Sequence, residues 1–229
     1  MSIASRQFTL TGQHHRRTGG DNQDFALFTQ TPFGAAALLS DGATGCRMGG
    51  RAARLLCEAT ARLITEHGER IFHYTPKKLQ WFFAEHLRYT LECEARASGT
   101  PLGEYGCTFC MAYCEKATGR TILIAVGDCA VFGLRGGGCR LLCPPQYTRG
   151  HRPVLVTSAQ LNAFLRVELI EHLPQDMQLF VATDGCWQAL QDAAAPRAAF
   201  HAGAFEEMER LLHAAQPEDD CTYITLKQE

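Results

Sequence analysis

Phe8 and Leu10 alternate with polar neighbours over residues 6–10, the period-two pattern of a half-buried strand. A second candidate strand covers 24–29. The stretch between them, Gly12 to Asp24, is polar and glycine-bearing, and it predicts a loop carrying basic groups toward Gln23-Asp24. The continuous apolar run Ala35–Leu39 predicts a buried strand over 34–40. Glycines 45, 49 and 50 then form a loop ahead of a helix near 51–67, where Ala52, Leu55, Leu56, Ala59 and Leu63 keep helical spacing. Pro76 suits the first turn of a second helix reaching about Arg96, with Leu79, Phe82, Phe83, Leu87 and Leu91 on one face. Trp81 on this helix is expected to pack rather than to serve a function.

Further strands are expected near 105–114 and 120–126, joined by the hairpin-sized Lys116-Ala117-Thr118-Gly119. Another pair, 130–135 and 139–142, flanks Gly136-Gly137-Gly138. Pro144-Pro145 break the chain before a loop over 146–157. A short helix at 158–165 precedes strands near 167–172 and 178–183. Residues 186–192 and 203–214 read as helices, and the acidic Asp219-Asp220 leads into a final strand-like run. Runs of strands and of helices without strict alternation favour an α+β fold in which helices cover antiparallel sheets. No repeat or linker interrupts the 229 residues, a length that one core can serve, so 1–229 is expected to be a single domain.

Composition excludes more than it adds. With 46% hydrophobic and 20% charged residues the chain reads as globular, and a net charge of −2 gives no attraction to nucleic acid or an acidic membrane. No apolar run approaches the ~20 residues that span a bilayer, and Met1–Leu10 lacks the apolar core of a signal peptide, so the expected location is the cytoplasm. Of eleven cysteines, Cys107, Cys110 and Cys114 form the one tight cluster. Strand alternation turns Cys107 away from the other two, so reduced cysteines acting as small hydrophobes are expected rather than zinc ligands.

The candidate chemistry lies at strand ends. Ser40-Asp41-Gly42, Val126-Gly127-Asp128 and Thr183-Asp184-Gly185 each close an apolar run on a carboxylate. One Asp-Gly is an ordinary turn signal. Three strand ends bearing an acid, together with Gln23-Asp24 and Asp219-Asp220, suggest a scaffold that gathers carboxylates. Such a donor set suits hard divalent ions, Mg²⁺ or Mn²⁺. Two of these ions, about 3.5–4 Å apart, can clamp an oxyanion and activate water for attack on a phosphoester. The glycines at 45, 49 and 50 lack the Gly-Lys-Ser/Thr of a P-loop, so no nucleotide site is expected.

In order, Asn22-Gln23-Asp24, Asp41-Gly42-Ala43-Thr44-Gly45, Gly106-Cys107-Thr108, Val126-Gly127-Asp128-Cys129, Ala182-Thr183-Asp184-Gly185 and Asp219-Asp220-Cys221-Thr222 resemble the metal-dependent protein phosphatase family, the protein phosphatase 2C-like Ser/Thr phosphatases. The opening Gly12…His15…Gly19…Gln23-Asp24 looks most like a compact bacterial branch. The resemblance implies a four-layer αββα sandwich of two antiparallel sheets flanked by helices, with the metals at one end. It implies that Asp41 bridges two metals, that the Gly42 carbonyl ligates one, and that Asp184 and Asp219 hold the other. Asp24 would orient the attacking water, making Asp24, Asp41 and Asp184 the catalytic set, and Asp128 would serve a weaker third metal site. His15, Arg16 and Arg17 are candidates to meet the substrate phosphate, guanidinium matching its oxygens bidentately.

The implied activity is hydrolysis of phosphoserine and phosphothreonine by a metal-bridging hydroxide. The implied partner is a phosphorylated protein, a Ser/Thr kinase or its target. Departures bear on details: Cys129-Ala130 stand where many members carry Ser-Arg, Gln188 where many carry aspartate, Ala43 where some carry histidine, and Gln23 in place of Glu. Those at Gln23, Ala130 and Gln188 motivate an alternative, a catalytically weak or inactive member acting as a phosphoprotein-binding regulatory module.

Overall fold

Two antiparallel sheets stacked face to face carry the strands of this protein. The computed structural model describes residues 2–229. One sheet holds β1 (Ile3–Ala4), β2 (Gln7–Leu10), β7 (Ala130–Arg135), β8 (Gly138–Cys143), β10 (Gln178–Ala182) and β11 (Cys221–Gln228), in the order β1-β11-β10-β7-β8, with β2 also paired to β11. The other runs β3-β4-β5-β6-β9: Phe25–Gln30, Gly34–Ser40, Phe109–Glu115, Thr121–Val126 and Arg166–Ile170.

Strand alternation sorts the apolar residues into three layers. Ala35, Ala37 and Leu39 of β4 face Val131, Leu179, Val181, Ile224 and Leu226 across the space between the sheets. Ala36 and Leu38 point the other way, onto the long helices α2 (Gly49–Phe72) and α3 (Pro76–Ser98). On the outer face of the first sheet, Phe180 and Tyr223 stack at 4.6 Å between ring centroids under α5 (Asp184–Asp192), α6 (Ala194–His201) and α7 (Phe205–Ala215). The result is helix, sheet, sheet, helix. Each of these fully buried large side chains contributes about 1.5–3 kcal/mol. Two shorter helices are α1 (Gln13–Thr18) and α4 (Leu161–Phe164), the latter burying Leu161 in the core under α2 and α3. No described helix is long and apolar enough to cross a membrane.

The expected elements form, with instructive exceptions. Residues 13–18 are helical where a loop was expected, because remote groups satisfy the helix's first amides: Gln13 and His14 donate to the carbonyls of Pro217 and Glu218, at 3.0 Å each. Helix α2 continues past His67 to Phe72. Gly68, a potential breaker, sits where a Cβ would overlap the Tyr113 hydroxyl. The helix expected at 158–165 shrinks to α4, and α6, which was not foreseen, opens with Pro196 in its first turn. Trp81 is 60% exposed and does not pack in the core as expected. Cys107 lies in the core beneath α2 and α3, whereas Cys110 and Cys114 lie between the sheets, as alternation requires.

Antiparallel register decides where the strand ends meet. Ser40 pairs with Phe25, Leu39 with Cys110, and Phe109 with Val126, while Ala182 pairs with both Tyr223 and Ala130. The ends that carry Asp24, Asp41, Asp128, Asp184 and Asp219 therefore share one rim of the sandwich.

Candidate metal centre

Oxygen atoms of Asp41, Asp128 and Asp184 lie within 4.8 Å of one another at that rim. The Asp41 carboxylate stands close enough to those of Asp24 and Asp184 to interact with both directly. Asp219 stands close enough to add its negative charge to Asp41, Asp128 and Asp184. The sequence thus named five carboxylates that the fold brings together.

Hydrogen bonds position four of these residues. The Asp41 amide donates to Thr108 Oγ1 at 3.1 Å, and the Thr108 amide donates to the Asp41 carbonyl at 2.9 Å. Thr183 Oγ1 donates to Asp24 Oδ2 at 2.9 Å. The Gly185 amide donates to Asp184 Oδ1 at 2.8 Å, and Gln188 Nε2 reaches Asp184 Oδ2 at 3.3 Å. The Trp187 indole donates to the Asp128 carbonyl at 2.9 Å, tying α5 to the loop after β6. The sequence assigned no role to Thr108 or Thr183, although both stand inside the ordered motifs.

Gly42 is required by packing. A Cβ there would stand 2.4 Å from the Gly49 carbonyl carbon and 2.5 Å from the Gly50 nitrogen, so the Asp41 turn is pressed against the start of α2. Gly185 is similarly confined, by the Asp220 carbonyl oxygen.

The electrostatics are those of a cation site. Burial, then the neighbouring negative charge of Asp220, pushes Asp24 up to about 8. Burial and the charge of Asp184 push Asp128 up to about 7. Asp41 and Asp184 are raised for the same two reasons, burial first and neighbouring carboxylates second. Among the described residues none of these aspartates is ion-paired with a basic side chain. Asp128 Oδ1 and Gln23 Oε1 are buried without a hydrogen-bond partner. Clustered, desolvated acceptors lacking a positive partner fit hard divalent cations.

The basic candidates of the opening segment are placed differently from one another. His15 is buried, its Nδ1 donating to Asp220 Oδ2 at 2.8 Å. Arg17 pairs with Glu218. Arg16 is exposed, with Nε donating to the Thr11 carbonyl at 2.7 Å. Asp220, to which the sequence assigned no role, also accepts from the amides of Gly12 at 2.8 Å and Gln23 at 2.7 Å.

Comparison with known proteins follows this geometry. Comparison with curated proteins gives no match. Among solved structures the chain is similar to a bacterial serine phosphatase (TM-score 0.70, 15% identity, covering 100% of this chain and 98% of that one). It is similar to the serine/threonine phosphatase Stp1 from Staphylococcus aureus (0.68, 15%, 100% and 96%). It is also similar to PppA, a key regulatory component of T6SS in Pseudomonas aeruginosa (0.67, 16%, 99% and 98%). At such identity these likenesses establish the shared fold. The sequence profile of protein phosphatase 2C matches residues 11–222, from just before the Gly12 turn to Thr222 at the start of β11. Because that match takes in every carboxylate of the rim, and the sandwich is the one its structural relatives share, the chain belongs to the protein phosphatase 2C family.

Proposed function

We propose that this protein, working as one domain over 1–229, is a Mg²⁺- or Mn²⁺-dependent phosphatase that hydrolyses phosphoserine and phosphothreonine in proteins. The observation that carries this is the convergence of Asp41, Asp128 and Asp184 within 4.8 Å without a basic partner, on a fold of this family. Asp41, the Gly42 carbonyl, Asp184 and Asp219 would hold two ions, and Asp128 would serve a weaker third site. Gln188 at Asp184 Oδ2 puts an amide where a further carboxylate would favour a third ion. When bound, the ions supply Lewis-acid charge that polarises the phosphoryl group and acidifies water.

The chain's own groups do the rest. Asp24, held in place by Thr183 Oγ1, accepts a hydrogen bond from the attacking water and aims it at phosphorus. Asp41 is kept in register by Thr108 on both sides of its peptide unit. Of the three basic candidates for the phosphate, Arg16 keeps its terminal guanidinium nitrogens for that contact, whereas His15 is engaged with Asp220 and Arg17 with Glu218.

Purified protein with millimolar Mn²⁺ is expected to hydrolyse p-nitrophenyl phosphate and phosphoserine peptides. Asp41→Ala and Asp184→Ala are expected to lose both turnover and calorimetric Mn²⁺ binding. Wild-type protein that binds Mn²⁺ yet turns over neither substrate overturns the catalytic assignment.

A further inference from the structure

Beside Asp24 the metal rim opens into a groove of about 650 Å³ whose far wall is basic. Arg51 and Arg54 project from the first turns of α2 and Arg47 from the residues just before it, three arginines at spacings of four and three. On a helix a spacing of three places Arg51 and Arg54 on one face, and Arg47 lines the same groove from the turn before it. All three are exposed. The Arg47 guanidinium has no ion-pair partner among the described residues. Arg54 Cζ lies over the Phe25 ring, 4.4 Å from its centroid, and its Nη1 stands 3.8 Å from Glu58, a contact too long for a hydrogen bond. Arg51 pairs with Glu94 at 2.5 Å. Stacking uses the face of a guanidinium and leaves the N–H groups at its edge for an anion. The acidic residues of the groove are Asp24, which belongs to the centre, and Asp21.

A groove that begins at Asp24, one carboxylate of the rim, and runs along three arginines is placed to hold the chain on which the phosphate is carried. We propose that this face selects the substrate by its sequence, binding aspartate or glutamate residues that flank the phosphoserine or phosphothreonine. Arg47 and Arg54 are the specificity-determining residues. An extended peptide advances about 3.3 Å per residue, so carboxylates one to three residues from the phosphate come into the reach of these side chains. The larger cavity of about 850 Å³, lined by Lys77, Tyr147 and Arg166 among others, contains none of the five carboxylates and is a weaker candidate for this task.

The proposal rests on the phosphatase function, and its test separates the two. Three phosphoserine peptides of equal length, with acidic, neutral and basic flanks, are compared by kcat/KM in Mn²⁺, with p-nitrophenyl phosphate as a substrate that has no flank. Wild-type protein is expected to favour the acidic over the neutral peptide about 3- to 10-fold, the value of two partly exposed ion pairs, with the difference in KM. In the Arg47→Gln/Arg54→Gln double variant the ratio is expected to fall toward one, and raised salt is expected to do the same to the wild type. Equal kcat/KM for all three peptides, or an acidic preference that survives the double substitution, overturns the proposal. If no substrate is turned over, the phosphatase function fails. Fluorescence anisotropy with the same labelled peptides then still decides the groove: preferential, arginine-dependent binding of the acidic peptide supports it, and equal binding refutes it.

Discussion

Asp220 Oδ2 accepts the Nδ1 proton of His15 at 2.8 Å, joining two buried side chains 205 residues apart in the chain. The same carboxylate takes the amides of Gly12 and Gln23, one at each end of the opening segment. It thereby sets the position of Asp24, the residue after Gln23. Truncating it strands three donors in a site with little water. Asp220→Ala is expected to lower unfolding free energy by about 3–5 kcal/mol, the usual cost of breaking a buried charged network. Asp220→Asn, which keeps an acceptor, should cost less. Urea denaturation measures both, and a loss under ~1 kcal/mol in the alanine variant contradicts the clamp.

Gly42 offers a packing test with its own control. Alanine at 42 would place Cβ 2.4 Å from the Gly49 carbonyl carbon, whereas at Gly45 nothing lies within 4 Å. Gly42→Ala is expected to destabilise by about 3 kcal/mol through overpacking, and Gly45→Ala to change stability by under ~0.5 kcal/mol. Equal melting temperatures for the two variants would refute the close approach of the Asp41 turn to α2.

Metal and pH act together at the rim. The folded-state values of Asp24, about 8, and Asp128, about 7, lie above the ordinary 3.8. The folded protein therefore holds protons more tightly than the unfolded chain, and this stabilisation is full below about pH 4 and lost as pH rises through 7–8. In chelator the melting temperature is expected to fall between about pH 5 and about pH 9. Excess Mn²⁺ or Mg²⁺ is expected to raise it most at the alkaline end, where the carboxylates are ionised. Scanning calorimetry that finds the metal effect largest at acid pH would count against the carboxylates as ligands.

His86 reports the opposite sign. Burial between α2 and α3, and then the charge of Arg62, lower it to about 4, while Nε2 stands 3.3 Å from Thr60 Oγ1. A depressed histidine favours protons in the unfolded chain, so its contribution is present above about pH 6.5 and is lost as pH falls toward 4. After discounting for partial exposure, this loss amounts to about 1–2 kcal/mol. His86→Gln is expected to flatten the stability curve over that interval, followed by urea unfolding at successive pH values. An unchanged acid limb would remove His86 as its source.

Most of the sandwich was legible because its signals are local. Alternation in β2, the continuous apolar runs of β4 and β10 and helical spacing in α3 are set by neighbours within a turn or two. The exceptions share a cause in distant contacts. Helix α1 depends on the Pro217 and Glu218 carbonyls, and α2 passes through Gly68 because the Tyr113 hydroxyl needs the space. Trp81 occupies an exposed position that a count of apolar residues cannot distinguish from a buried one.

The chain by itself determined that apolar strands end on Asp41, Asp128 and Asp184, since hydrophobic runs and the residues that stop them are written in order. It also carried the family's ordered motifs. Only the tertiary structure decided that these ends share one rim, because strand direction and register are set by pairing between segments as far apart as Leu10 and Cys221. It alone placed His15 on Asp220 and left Arg47 and Arg54 facing a groove beside Asp24. A side chain's charge is a property of the sequence, but its partner is chosen by the fold, through the dehydration of some groups and the exposure of others.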